Sequence, residues 1–199
     1  MKSTIILVVA ASILGLASAS PIAEPEPEPK SAMAPRTPNS YDLAIGGGRF
    51  DMSDLQSFSL FYANSSAYIG QIKYQVYSEP LIVSGAQNGM DTITFQSIHS
   101  NPTGWQQMYV TTHQSRPVGF SPPHGSAPQG TRTNEFGFNF RGQLQNHGLN
   151  LFYACRGFND SLATLHSYQI YWLAAGFPRA MVCKGPLAIH AANGCTRNI

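Results

Sequence analysis

Four short segments decide the fold: FGFNF at residues 136–140, LNLFYAC at 149–155, YQIYW at 168–172 and VCKGPLAIH at 182–190. In the first three, every second residue is apolar, so the apolar side chains of a segment share one face. Turn-forming residues separate the segments. A period of two is typical of half-buried strands, whereas a helix repeats every 3.6 residues. The segments therefore predict a run of strands.

The N-terminal half of the domain is divided in the same way. Strand candidates lie at residues 41–45, 57–62, 68–76, 81–83, 92–96 and 105–112. The whole domain holds roughly ten to twelve candidates at the spacing of antiparallel β proteins, with no convincing amphipathic helix. The predicted fold class is all-β, a compact antiparallel barrel or sandwich. The strand number also fits a β-trefoil, although no threefold sequence repeat is visible.

A Pro- and Gly-rich segment at residues 115–133 interrupts the strands. Its composition predicts a long surface loop with one brief strand at residues 118–120. Loops of this length usually have a function or little order.

The first 40 residues are not typical of a globular domain. Lys2 precedes an apolar run at residues 5–16 and a small-x-small site at 17–19, which predicts a signal peptide over residues 1–19. Residues 20–40 contain a Glu-Pro repeat and are predicted to be a disordered tether or pro-segment. Residues 41–199 form the single predicted domain. Since no later stretch has the roughly 18 apolar residues of a span, no membrane span is expected.

The charge of the domain is low and nearly balanced. From Tyr41 onward there are nine Lys and Arg against seven Asp and Glu, a net charge of +2. This balance is too weak to predict nucleic-acid binding by electrostatics. A low-charge surface rich in Gly, Ser, Asn, Gln and aromatic residues is common among extracellular proteins that meet polysaccharides.

The sequence contains no recognisable catalytic or metal-binding motif. The histidines are scattered and show no paired metal-ligand spacing; they are His99, His113, His124, His147, His166 and His190. No nucleophile elbow and no readable carboxylate pair is present. We therefore predict a protein without catalytic activity, metal or cofactor.

One enzyme alternative is a small secreted hydrolase, most readily a ribonuclease. Such an enzyme uses a carboxylate and a histidine as base and acid, with an arginine on the phosphate. Glu135, Arg132 and either His113 or His124 could supply these groups.

Aromatic residues and sequons indicate contact with carbohydrate. Trp105 and Tyr109 are the candidates for stacking on sugar rings, whereas Trp172 lies among apolar neighbours and is expected in the core. The sequons at Asn64 and Asn159 are candidate N-glycosylation sites in an exported chain. A carbohydrate-binding, lectin-like module is thus the first alternative function.

Three cysteines, Cys155, Cys183 and Cys195, allow three different single disulfides. Export favours a disulfide. Their spacing is poor for zinc, because no close pair begins a site.

Residues 105–190 resemble a family of small secreted fungal proteins, the cell wall proteins of the phiA type, whose relatives are often labelled IgE-binding proteins. The resemblance rests on the order of six blocks: QQMYV at 106–110, VGF at 118–120, GTRT at 130–133, LFYAC at 151–155, YQIYW at 168–172 and CKGPLA at 183–188. It implies a secreted or wall-associated fungal protein linked to the cell wall and to spore development, with no established catalytic activity.

The resemblance also implies a disulfide between Cys155 and Cys183 and leaves Cys195 as the extra thiol. That bridge would close a loop of roughly 30 residues and contribute about 3–4 kcal/mol by the chain-entropy model.

The function predicted from these observations is that of a secreted, non-catalytic protein of the fungal cell wall or extracellular matrix, with a structural or adhesive role. Its expected partners are wall polysaccharide or other wall proteins, and not nucleic acid.

Overall fold

The computed structural model describes residues 39–46, 55, 58–70, 78–99, 104–158 and 161–192. The predicted signal peptide and nearly all of the predicted tether lie outside these residues. The described elements, in chain order, are β1 (Tyr41–Ile45), β2 (Phe61–Ala63), β3 (Ser66–Ile69), β4 (Glu79–Pro80), β5 (Ile82–Ser84), β6 (Thr94–Gln96), β7 (Trp105–Thr111), β8 (Arg116–Pro117), β9 (Gly119–Phe120), β10 (Thr131–Arg132), β11 (Phe136–Phe138), β12 (Leu144–Asn146), β13 (Phe152–Gly157), α1 (Ser161–Thr164), β14 (Tyr168–Trp172), β15 (Met181–Lys184) and β16 (Ile189–Ala192).

A continuous path of antiparallel strands runs through the fold in the order β15-β13-β14-β3-β9-β7-β6-β5-β1-β16. We call the part from β7 to β16 the first sheet half and the part from β7 to β15 the second sheet half. Strand β7 belongs to both halves. Short strands pair with the strands of this path: β2 pairs with β3, and β10 pairs with β7. Strands β11 and β12 form a separate two-stranded sheet.

The described strands do not close into a barrel, because β15 and β16 end the path. The all-β, antiparallel prediction is confirmed, whereas the barrel alternative is not the arrangement that forms. No helix in the described part of the chain is long and apolar enough to cross a membrane.

One apolar core joins the two sheet halves. The first sheet half contributes Leu43, Val83 and Phe95 to this core. The residues from the second sheet half include Phe120, Phe152, Ala154, Ile170 and Trp172. Trp172 is only 4% exposed, which confirms its expected place in the core. Burial of such large side chains is the dominant stabilising contribution in a chain with few charges.

Tyr41 shows how deep this core is. It is completely buried, and its hydroxyl donates a hydrogen bond of 2.5 Å to the carbonyl oxygen of Gly85. Burial raises the pKa of Tyr41 far above its ordinary value near 10, because the charged phenolate is poorly solvated there.

The segment at residues 149–155 was predicted to bury the face of Leu149, Leu151, Tyr153 and Cys155, and this is wrong. Strand β13 begins only at Phe152, and Phe152 and Ala154 lie in the core, whereas Leu149 is 51% exposed. Leu149 belongs to a turn instead, because its backbone N–H and carbonyl groups form two 3.0 Å hydrogen bonds with those of Asn146.

The segment at residues 136–140 also differs from its predicted boundaries. Strand β11 ends at Phe138, and Phe140 is 91% exposed instead of sharing the buried face of Phe136. The cause is Asn139, whose side-chain oxygen accepts hydrogen bonds from the backbone N–H groups of Arg141 and Gln143, both at 2.9 Å. An Asn side chain that satisfies the backbone in this way favours a turn over a strand.

The predicted loop at residues 115–133 is only partly irregular. Its residues form β8, β9 and β10, which pair with β14, β3 and β7. Strand β9, Gly119–Phe120, confirms the brief strand expected there. Strand β9 is an internal strand between β3 and β7, and Val118 and Phe120 lie in the core, so this part of the segment belongs to the sheet itself.

Candidate functional site

Strand β7 presents a row of partly exposed side chains on its outward face. Gln106, Met108 and Val110 are buried, and the alternate residues Trp105, Gln107, Tyr109 and Thr111 point outward. Trp105 is 46% exposed. The two aromatic residues proposed for sugar stacking therefore share one face, with about 13 Å between their Cα atoms from the rise of a strand.

Tyr109 lies against the backbone of the neighbouring strand. It pairs directly with Gly119 of β9, and directly paired residues project from the same face of a sheet. A Cβ atom at Gly119 would overlap the Cζ and hydroxyl of Tyr109. The absence of a side chain at Gly119 thus provides the space in which the Tyr109 ring lies.

A groove of about 400 Å³ opens beside this ring. We call it the Tyr109 groove; the lining residues that matter below are Asn64, Ser66, Tyr109, Arg116, Gly119 and Gln169. The strand order explains why they meet, because β7, β9, β3 and β14 are consecutive neighbours. The groove therefore spans four strands of the second sheet half.

A polar network forms the floor of the Tyr109 groove. The Nε2 atom of Gln169 donates hydrogen bonds to the Ser66 hydroxyl at 3.0 Å and the Tyr68 hydroxyl at 3.2 Å. The Ser66 hydroxyl donates in turn to the carbonyl oxygen of Val118 at 2.6 Å. These bonds fix the Gln169 amide, and its Oε1 atom has no hydrogen-bond partner among the described residues. An oriented acceptor of this kind can bind a hydroxyl group.

Asn64 stands at the rim of the groove, in the two-residue loop between β2 and β3. Asn64 and Ser65 have φ values of 45° and 56°, as in the tight turns that connect hairpins. Asn64 is exposed, whereas Ser66, the hydroxyl residue of the same sequon, is 4% exposed. The second sequon residue, Asn159, lies outside the described residues.

A disulfide joins Cys155 of β13 to Cys183 of β15. The two residues are direct partners in the antiparallel pair, and their Cα atoms are 4.1 Å apart. The pairing that the family resemblance implied is thus confirmed. Cys195 lies outside the described residues.

The groups considered for catalysis are arranged differently from the prediction. Oε2 of Glu135 contacts Nε of Arg132 at 3.2 Å, as expected, but its histidine partner is His147, with Nδ1 at 3.0 Å. Neither His113 nor His124 takes this place. The imidazole of His124 instead lies against Gly104, at the start of β7, whereas Arg132 pairs with Val110 near its end.

The Arg132–Glu135–His147 cluster is on the surface but is well organised. Glu135 and His147 both have left-handed backbone conformations, with φ of 63° and 51°, which are uncommon for residues with side chains. Asn146 is completely buried, donates to the Asn134 carbonyl oxygen at 2.8 Å and accepts a long bond from Nη1 of Arg132 at 3.4 Å.

The other glutamate of the described domain has a structural role. Glu79 is 4% exposed and accepts hydrogen bonds from the hydroxyl of Ser97 and from the backbone N–H of Ile98, the latter at 3.0 Å. Its carboxylate holds the turn after β6. No group of three His, Cys, Asp or Glu that could hold a metal occurs within the described residues.

Sequence reasoning identified Tyr109 but missed Gly119, Arg116 and Gln169. The alternation of β7 was sufficient to place Tyr109 on an exposed face. The other three residues come from β9, β8 and β14, and only the strand order brings them to β7. A conspicuous Val-Gly-Phe strand next to the Pro-rich segment was the one available signal for Gly119.

A scan against protein-family models, a search of curated proteins and a search of solved structures each found no match. The resemblance to the phiA-type wall proteins therefore stays a prediction.

Proposed function

We propose that the protein is a secreted, non-catalytic component of the fungal cell wall or extracellular matrix, linked to spore development, that adheres by binding wall polysaccharide in the Tyr109 groove. One observation carries the proposal. Trp105 and Tyr109 lie on the same outward face of β7, and Tyr109 borders a groove whose floor is an ordered polar network.

This arrangement suits the chemistry of a sugar ring. A sugar presents C–H groups on its faces, which pack on aromatic rings, and hydroxyl groups around its edge. Binding sites combine such apolar contact area with a few fixed polar groups that set the orientation. In the Tyr109 groove, Tyr109 offers the ring and Gln169 offers a fixed amide, while Trp105 extends the contact along β7.

Pull-down on insoluble β-glucan and chitin tests this function. Trp105→Ala and Tyr109→Ala are expected to lower the bound fraction, with the larger loss for Tyr109→Ala because it removes a wall of the groove. Phe140→Ala is the matched control, since Phe140 is 91% exposed and lies outside the groove. Equal retention of all three variants would reject polysaccharide binding in the Tyr109 groove, and no binding by the unsubstituted protein would reject β-glucan and chitin as its ligands.

Location needs a separate measurement. Mass spectrometry of the secreted product under non-reducing conditions reports its N-terminus and any sugar on Asn64 and Asn159. We expect a product that begins after residue 19 or within residues 20–40 and is recovered from the wall fraction. A product that begins at Met1 and stays inside the cell would contradict the proposed export.

The Arg132–Glu135–His147 cluster favours a ribonuclease as the second candidate function. In that reaction the Glu135 carboxylate would take the proton of an RNA 2′-hydroxyl, whose oxygen attacks the adjacent phosphorus. His147 would protonate the departing 5′ oxygen, and Arg132 would stabilise the charge on the phosphate. The two proton transfers balance, and the products are a cyclic phosphate and a free 5′-hydroxyl.

An RNA cleavage assay separates this candidate from contamination. Glu135→Gln keeps the size of the side chain but removes the base, so genuine activity should fall by about 100-fold or more. Cleavage that is equal in the Glu135→Gln and unsubstituted preparations, or no cleavage at all, would reject the ribonuclease.

A further inference from the structure

Charge is distributed unevenly around the Tyr109 groove. The lining residues include one arginine, Arg116, and no aspartate or glutamate. The remaining lining side chains are hydroxyls, amides, one phenol and apolar groups. The groove is thus a polar site with a single positive charge, and that charge decides which saccharides it prefers.

Arg116 is anchored but not neutralised. It begins the short strand β8, where it pairs with Trp172 of β14. Its Nε atom donates to Oε1 of Gln114 at 3.1 Å, which fixes one edge of the guanidinium group. No carboxylate contacts Arg116 among the described residues, so its terminal nitrogens can donate to a ligand.

Arg132, a nearby arginine, differs from Arg116 because a carboxylate neutralises its charge. It follows Thr131, another lining residue of the groove, but its Nε atom contacts the Glu135 carboxylate at 3.2 Å. The positive charge of Arg132 is therefore balanced by its own neighbour. Arg116 has no such neighbour, and an anionic ligand would supply one.

We propose that the Tyr109 groove binds an acidic saccharide, with a uronic-acid carboxylate on Arg116 and the sugar ring against Tyr109. This inference rests on the proposed polysaccharide binding. A carboxylate is planar and accepts two parallel hydrogen bonds from a guanidinium group, a pairing that is stronger than hydrogen bonds between neutral groups. A neutral sugar can offer Arg116 only hydroxyl groups, which water replaces equally well.

The test compares two polymers that differ only in charge: polygalacturonate and the same polymer after chemical reduction of its carboxyl groups. Isothermal titration with the secreted protein should show about tenfold tighter binding to polygalacturonate than to its reduced form. Arg116→Gln should bring both polymers to the same affinity. Higher salt should reduce the difference between the affinities of the unsubstituted protein for the two polymers, because the pair of Arg116 and the ligand carboxylate is near the surface.

Arg141→Gln is the matched control. Arg141 is also an exposed arginine, but it lies in the turn between β11 and β12, over the ring of Phe140. If Arg141→Gln removes the preference as completely as Arg116→Gln, the preference reflects net charge and the inference is wrong. Circular dichroism and the melting temperature of each variant verify that it is folded.

The remaining outcomes distinguish this inference from the proposed function. Equal affinity of the unsubstituted protein for the two polymers would overturn the acidic-saccharide preference and leave polysaccharide binding intact. Failure to bind polygalacturonate, its reduced form, β-glucan and chitin would reject the proposed function, and the inference with it.

Discussion

The inward and outward faces of β7 come from one strand but have different surroundings. The inward residues Gln106, Met108 and Val110 contact the core or its buried polar groups, and each is at most 2% exposed. Of the outward residues, Trp105 is exposed to solvent and Tyr109 lines the Tyr109 groove. Replacements on the inward face should therefore change the free energy of unfolding, and those on the outward face should change binding. Three of the four predictions below test this separation, and the third concerns a buried side chain of β1.

The largest effect is expected for Met108→Ala. Met108 is 2% exposed, so truncation removes buried surface and leaves a cavity, at a cost of about 2–5 kcal/mol in the free energy of unfolding. Gln107→Ala, one position away on the outward face, should change it by less than about 0.5 kcal/mol. Urea unfolding curves measure both. Similar losses of unfolding free energy in the two variants would contradict the difference between the inward and outward faces of β7.

Gln106→Leu should cause the second-largest loss in the free energy of unfolding. Nε2 of Gln106 donates to the Tyr62 hydroxyl at 3.2 Å and to the Ser121 carbonyl oxygen at 2.9 Å. Leucine fills a similar volume but leaves those groups without this donor, at a cost of about 1–3 kcal/mol. Tyr62→Phe should cost less in the Gln106→Leu background than alone. A double-mutant cycle with no coupling would show that the bond contributes nothing.

A buried tyrosine gives the third prediction, as a pH dependence. The folded pKa of Tyr41 lies above the unfolded value near 10, so the neutral phenol contributes its full stability below about pH 10. Above that pH only the unfolded chain ionises. The free energy of unfolding should then fall by up to about 1.4 kcal/mol per pH unit until the folded pKa is reached.

Tyr41→Phe should remove that part of the alkaline slope. It also removes the hydrogen bond to Gly85, so the variant should lose about 1 kcal/mol at neutral pH as well. Unfolding curves between pH 8 and pH 11, values chosen to bracket the ordinary tyrosine pKa, measure both effects. An unchanged slope in Tyr41→Phe would show that Tyr41 does not cause it.

Gly119→Ala should affect binding more than stability. The added methyl group would overlap the far end of the Tyr109 ring, which can swing toward solvent for about 1 kcal/mol or less. Polysaccharide binding should nevertheless fall to the level of Tyr109→Ala, because the ring leaves its place in the groove. Gly119→Ala added to Tyr109→Ala should have no further effect on binding. An additional loss would indicate that Gly119 contacts the ligand itself.

Local patterns were sufficient to predict the all-β class and the exposure of some single residues, but not of Phe140 and Leu149, which turns expose. The alternation of residues 105–112 placed Trp105 and Tyr109 on one outward face, and the apolar neighbours of Trp172 placed it in the core. Such predictions need only the period of two, which the backbone imposes on every strand.

Contacts between distant segments could not be predicted in this way. Gly119 and Gln169 reach the groove only because β9 and β14 flank β3 in the sheet order. His147, and not His113 or His124, lies beside Glu135, because the pairing of Phe136 with Asn146 places the residues that flank β11 and β12 next to each other. Single sequences do not reveal pairings over such separations. The disulfide could be assigned only with the help of a family resemblance.

The burial of Ser66 has a consequence for the order of events during synthesis. Its hydroxyl, which belongs to the Asn64 sequon, donates to a carbonyl group 52 residues further along the chain. A transferase that must read this hydroxyl cannot reach it once the later segment has docked. Any carbohydrate on Asn64 is therefore attached while the chain is still unfolded at this position, before the segment that contains Val118 covers Ser66.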